Sequence, residues 1–216
     1  MVGNAEHGAA IRPAVRKVPL SNPARRREVL DAVLALLAEV GYERMTMDLV
    51  AQRARASKAT IYQRWPTKAR LAVDAIEQHR SRPADRNTGS FVEDLRHLLS
   101  SWLASWTALD RGVSIALIEG SRGDAELARL RRERLRRPLQ EVAELIAARA
   151  CARAELPAGI DALLLMEMAF AVVLTGLLIE EDVPDGGVVD RIVDDLLSGV
   201  NPAQPTKGAV PSNARA

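Results

Sequence analysis

Apolar residues along this chain recur at steps of three and four, the period of a helix that buries one face. Val29, Val33, Leu36, Leu37 and Val40 make the first such stripe. They predict a helix from Pro23 to Val40, with Asn22 as its N-cap, Pro23 at the first helical position and Gly41 to stop it. A short helix follows from Thr46, which can cap it, to near Ala54, with Met47, Val50 and Ala51 on one face. After a tight connection at Arg55 and Ala56, Ser57 can cap a third helix, Lys58 to Trp65, which Pro66 closes. Thr67 restarts a helix with Leu71, Ala72, Ala75 and Ile76 on its inner face. The segment SRPADRNTGS after Arg80 carries Pro83 and Gly89 and no apolar stripe, which predicts a linker. Beyond it the spacing predicts helices at Phe91 to Leu109, Val113 to Gly120, Ala125 to Glu155 (bent or broken at Pro138), Ile160 to Glu181 and Val188 to Ser198. The expected fold is all-α: a head over 23–80 and a body over 81–200, between disordered tails at 1–22 and 201–216 that are polar, rich in Pro and Gly and without period.

Composition narrows the class. Of 216 residues 48% are hydrophobic and 27% charged, enough for a buried core, and the scarcity of aromatics (3 Trp, 2 Tyr, 2 Phe) argues against an all-β chain. The single cysteine, Cys151, has no internal partner, and His7, His79 and His97 are not spaced as zinc ligands, so neither a metal nor a cofactor is expected. Met1 to Asn22 lacks the apolar core of a secretory signal. Leu163 to Ile179 contains Glu167 and falls short of the ~20 apolar residues of a membrane span. A cytoplasmic protein with no membrane partner is the expectation. The net charge of +2 conceals an asymmetry: residues 1–80 carry 14 Lys/Arg against 8 Asp/Glu, or +6, and residues 81–216 carry 16 against 20, or −4. A basic head on a mildly acidic body suits a polyanionic partner.

Two short helices joined by a turn of ~3 residues, the second opening on small and polar residues, match a helix-turn-helix DNA reader. The stretch is TMDLVAQRARASKATIYQRWPTK. Ile61 and Trp65, four apart, would anchor the second helix, leaving Lys58, Ala59, Thr60, Tyr62 and Gln63 on its outward arc. In this register Thr46, Leu49, Ala51, Ala54, Ser57, Lys58, Thr60, Ile61, Tyr62, Trp65, Pro66, Lys68 and Leu71 resemble the signature of the TetR family of transcriptional regulators, over about Arg25 to Ile76. The rest of the chain resembles the family only as a helical body of the expected length.

Chemistry and resemblance together suggest roles. Gln63 can address adenine in bidentate fashion, Lys58 can donate to guanine, Thr60 can reach a base or phosphate, and Ala59 can touch a thymine methyl. Thr46 and Lys68 stand at helix starts, where backbone N–H groups already attract phosphate, and Tyr62 offers a hydroxyl on the exposed face. One position departs from the family pattern: the turn glycine is Arg55, followed by Ala56. A left-handed non-glycine residue costs roughly 1–2 kcal/mol, so the turn is either strained and tolerated or repaid by an Arg55 contact to phosphate.

One reading head makes few contacts, and such readers pair on two half-sites. The last two long helices, apolar over a wide face from Leu163 to Leu178 and from Val188 to Leu197, are the expected homodimer surface, and the resemblance implies a four-helix bundle formed by both subunits. Trp102 and Trp106, four apart, are either core or, with Met166, Met168 and Phe170, the lining of a cavity for the small-molecule effector that the resemblance implies. Glu167 is either a polar group at the dimer seam or an anchor in that pocket. The run RLRRERLRR, Arg129 to Arg137, keeps the apolar stripe of Leu127, Leu130, Leu135 and Leu139 and reads as a solvated face; Cys151 reads as a quiet helix cysteine unless exposed beside Arg149 and Arg153. No G-x-S-x-G elbow, phosphate loop, H-E-x-x-H or Cys/His pair is present, so no catalysis is expected. The leading expectation is a ligand-responsive repressor that binds a pseudo-palindromic operator in double-stranded DNA as a homodimer. Its alternative is a helical interaction protein whose helix-turn-helix no longer binds DNA specifically.

Overall fold

Helix starts in this chain are set by short polar side chains that accept from the otherwise unpaired N–H groups of the first turn. Asn22 accepts from Ala24 at 2.9 Å, Thr46 from Leu49 at 3.2 Å, Ser57 from Thr60 at 3.1 Å and Thr67 from Arg70 at 3.3 Å. In the computed structural model, which describes residues 22–179 and 186–200, these caps open α1 (Pro23–Arg44), α2 (Met47–Arg53), α3 (Lys58–Arg64) and α4 (Lys68–His79). The helices α5 (Phe91–Ala104), α6 (Ala108–Gly123), α7 (Ala125–Leu130), α8 (Arg137–Ala152), α9 (Ala162–Ile179) and α10 (Gly186–Val200) complete the element order; no strand occurs among the described residues. The predicted tails and the end of the predicted helix at Glu180 and Glu181 lie outside the described residues.

The departures from the sequence-based expectation that bear on the site fall in three places. Gly41, at φ 78°, interrupts α1 where predicted, but one more turn carries the helix to Arg44. The predicted helix Phe91 to Leu109 stops at Ala104, because Asp110 reaches back to accept from the Thr107 amide at 2.9 Å and its hydroxyl at 2.6 Å and so starts α6 early. Between α7 and α8 the helix does not break at Pro138. It widens into a π-helical segment, Arg131–Arg136, which accommodates a residue that lacks an N–H and crowds the preceding turn.

Two apolar cores form, and they do not divide at the linker. The first joins α1 to α4 with Val113, Ala116 and Leu117 of α6 and Leu127 and Leu130 of α7. The second joins α5, α8, α9 and α10. Small residues let α6 lie along α1: a Cβ on Gly120 would stand 2.3 Å from the Tyr42 ring, and one on Gly112 would stand 3.3 Å from Ala38. The Tyr42 hydroxyl then donates to Asp124 at 2.6 Å. The linker, 81–90, is pinned to the end of α8 by Arg149 on Asp85, at 2.6 Å, and by Arg153 on Asn87.

Helix α9 is 18 residues long with a mean hydropathy of 2.4, apolar and long enough by composition to reach a membrane span. One side of it packs against the body, burying Ala162, Leu165, Met166, Ala169, Val173 and Leu177.

Candidate nucleic-acid interface

The reading unit is α2, its turn and α3. Under α3, Ile61 is fully buried and Trp65 nearly so, and the Trp65 indole donates to Asp74 of α4 at 2.8 Å. Asp74 also takes Arg134 of the π segment at 2.7 Å and faces Arg26 of α1 at 3.6 Å. The exposed side of α3 is thus aimed by α1, α4 and the body together.

On that side Lys58, Ala59, Tyr62 and Gln63 are exposed and Thr60 is half-buried, as the spacing of Ile61 and Trp65 predicts. The Thr60 hydroxyl lies 2.5 Å from that of Ser57, so its polar atom is engaged within the cap. Lys58 pairs with Asp48 at 2.6 Å, and this hydrogen bond raises the ammonium's affinity for its proton. Thr46 is exposed and caps α2. Lys68, half-buried, donates to the Tyr42 carbonyl at 3.0 Å with its ammonium 4.0 Å from the Tyr42 ring centre. Sequence reasoning missed two arginines here. Arg64 is exposed on the last turn of α3, with no ion-pair partner among the described residues. Arg25 reaches from α1 to donate to the carbonyls of Ala54 and Arg55, at 2.6 and 2.8 Å.

That clamp bears on the turn. Arg55 has a φ of 49°, the left-handed conformation that favours glycine. The Ala56 amide bonds the Ala51 carbonyl at 2.9 Å and the Arg55 amide bonds that of Gln52 at 3.1 Å, the two bonds of a Schellman helix end. The turn geometry is therefore kept without its glycine, and the Arg55 side chain is exposed.

In the body, Trp102 meets Trp106 and Phe170 edge-on, with ring centres 5.6 and 5.2 Å apart, and Met166 is fully buried. The Trp106 indole N–H is buried with no acceptor. Glu167 and Met168 are exposed, so they do not join this cluster. The exposed apolar residues Leu164, Met168, Val172 and Ile179 instead line the outer side of α9 at helical spacing.

Two family models match the chain. Residues 29–75 fit the bacterial regulatory proteins of the tetR family, and residues 85–196 fit the tetracyclin repressor-like C-terminal domain. The chain belongs to the TetR family. It is 32% identical to the DNA-binding transcriptional repressor TetR of Mycobacteroides abscessus, over 80% of this chain and 92% of that protein. It is 51% identical to the uncharacterized regulator Rv1556 of Mycobacterium tuberculosis, over 34% of this chain and 37% of Rv1556, so that match spans only about a third of either protein. Among solved structures, the SmeT–triclosan complex has the same fold, with a TM-score of 0.65 at 22% identity over 89% of this chain and 100% of that one. The TetR family comprises transcription regulators that bind operators and dimerise, with a helix-turn-helix head and a helical body as found here.

Proposed function

We propose that this chain is a transcriptional repressor that binds a pseudo-palindromic operator as a homodimer and is released by a small molecule. The observation that carries the reading is α3, whose buried Ile61 and Trp65 hold Lys58, Ala59, Tyr62 and Gln63 on an exposed arc, with Lys58 paired to Asp48. Lys58, Gln63 and Ala59 read base edges, Thr60 reaches a base or phosphate, and Thr46, Tyr62 and Lys68 position phosphates. The dimer forms through α9 and α10, where the outer stripe of Leu164, Met168, Val172 and Ile179 supports a subunit contact, with Glu167 beside it at the seam. The head is 23–80 and the regulatory body 81–200, and the protein acts without catalysis in the cytoplasm.

The effector site is the cluster of Trp102, Trp106, Met166 and Phe170. A buried indole N–H without an acceptor is costly, and a ligand oxygen would relieve it. SmeT, which shares this fold, forms a complex with triclosan, which supports a small-molecule effector for this chain. The route to the head is short: the Arg80 guanidinium lies 4.9 Å from the Trp106 ring centre and bonds Ser114 at 2.8 Å and Asp110 at 3.3 Å. Arg80 ends α4, whose other end carries Lys68 beside α3. A ligand that moves Trp106 therefore biases the helix that sets the separation of two reading heads. The rival reading, a partner protein without specific DNA binding, rests on Arg55 alone, and the turn bonds at that position remain intact.

The test is selection of random duplexes by the purified protein, then titration of the enriched sequence and a scrambled control across salt concentrations. An enriched pseudo-palindrome bound ~10³-fold or more tightly than the control is the expected result. Weak, sequence-blind binding would give the answer to the rival.

A further inference from the structure

The arginine run that reads as a solvated face is divided in two by the fold. Arg129 pairs with Glu133 at 2.6 Å, Arg137 with Glu141 at 2.8 Å, and Arg134 with Asp74 and Glu77. Arg131, Arg132 and Arg136 turn the other way, and with Arg122 of α6 they line a cleft of about 260 Å³ that has Ser121 beside them and Ile118 and Ala128 as an apolar wall. None of these four has a carboxylate within salt-bridge distance among the described residues, and the Nε of Arg131 is buried with no acceptor. The π-helical segment contributes to this convergence, because its i to i+5 repeat brings Arg136 over Arg131.

We propose that this cleft is an anion site that takes a multiply charged phosphate group, such as a diphosphate. Burial and the like charges of Arg136 and Arg132 all disfavour the Arg131 guanidinium, which cannot shed its proton to escape them. An anion removes that penalty and fills the guanidinium forks in bidentate fashion. The cleft holds several times the ~30 Å³ share of one water, which suits a diphosphate, and the wall at Ile118 and Ala128 suits the carbon of its ester. The charge can come from a free phosphorylated compound or from two successive, singly charged phosphodiesters in the backbone of bound DNA.

Titrating inorganic pyrophosphate into the full-length protein by calorimetry, with no DNA present, tests the site independently of the repressor reading. Saturable binding is expected, weakened at least ~10-fold in the double variant Arg131→Gln, Arg136→Gln, and changed less than ~2-fold in the control Arg129→Gln, Arg137→Gln. The single variant Arg132→Gln, at an exposed position, gives the same direction should the double variant fold poorly. A parallel duplex titration separates the sources. Unchanged duplex affinity in the double variant assigns the site to a free phosphate compound, and a matching loss with a shallower salt slope assigns it to DNA backbone. No pyrophosphate binding, or equal binding by parent and double variant, overturns the proposal.

Discussion

Lys58 reaches a base only by giving up Asp48, whereas Gln63 is exposed with no contact to surrender. An exposed ion pair is worth little, so the exchange for a base edge is cheap. Gln63→Ala should therefore relax base preference at one operator position, by about 1–3 kcal/mol of discrimination, while leaving scrambled DNA almost unaffected. Lys68→Ala should weaken every duplex alike and reduce the salt slope by about one, because the role proposed for its ammonium is to meet phosphate whatever the sequence. Titrations of matched and scrambled duplexes at several salt concentrations distinguish the two, and the reverse pattern would exchange their roles. Arg55 poses the sharper question. Removing a left-handed side chain relieves about 1–2 kcal/mol, and glycine's extra freedom in the unfolded chain returns about 0.5–1 kcal/mol of it. Arg55→Gly should thus stabilise the head by about 1 kcal/mol in a denaturant melt. Unchanged DNA affinity in that variant excludes a phosphate contact; a loss establishes one.

Among the elements, α9 is apolar all round, which is why its sequence could not say which side meets the body. Packing decides it: Met166 and Val173 go inward, Val172 and Leu164 outward, and Glu167 falls on the outward side instead of in the aromatic cluster. Val172→Glu, at a position 52% exposed in the single chain, should leave the fold intact and convert the dimer to monomer in sedimentation, with loss of operator binding. A dimer that survives it would move the interface elsewhere. Helices α1 to α4 were legible because each start carries a capping side chain, and Gly41, Pro66 and Pro83 stand near the ends of α1, α3 and α4; the end of α2, at Arg55, carries neither Gly nor Pro. The break between α5 and α6 was not, because Leu103, Trp106 and Leu109 continue the apolar period across it; only the T-x-x-D pair Thr107 and Asp110 marked the new start. In the site, the exposed arc of α3 followed from period alone. The Arg25 clamp and the Lys58–Asp48 pair did not, since both depend on how neighbouring helices cross.

At the scale of the whole molecule, a buried carboxylate joins head and body beside the shared core of α1, α6 and α7. Asp110 is almost fully buried and receives Thr107, Arg80 and His79. Burial alone would raise its affinity for a proton, but the Thr107 hydroxyl and amide, the Arg80 charge and the His79 hydrogen bond outweigh it and hold the carboxyl below its ordinary value. A carboxyl depressed on folding contributes stability that is present above its unfolded value, near 4, and is lost as pH falls through the lower folded value. Acid should therefore loosen the contact between the end of α4 and the start of α6, which stays intact at neutral pH. Asp110→Asn should lower stability at pH 7 and flatten its decline below about pH 4, as read from denaturant melts at both pH values. It should also weaken the effect of any effector on operator binding, because Asp110 holds the arginine that lies against Trp106. If the variant declines with acid as steeply as the parent, the acid response belongs to other carboxylates. Effector action that persists at full strength in Asp110→Asn would mean that the signal passes from body to head by another contact, such as Arg134 on Asp74 beneath Trp65.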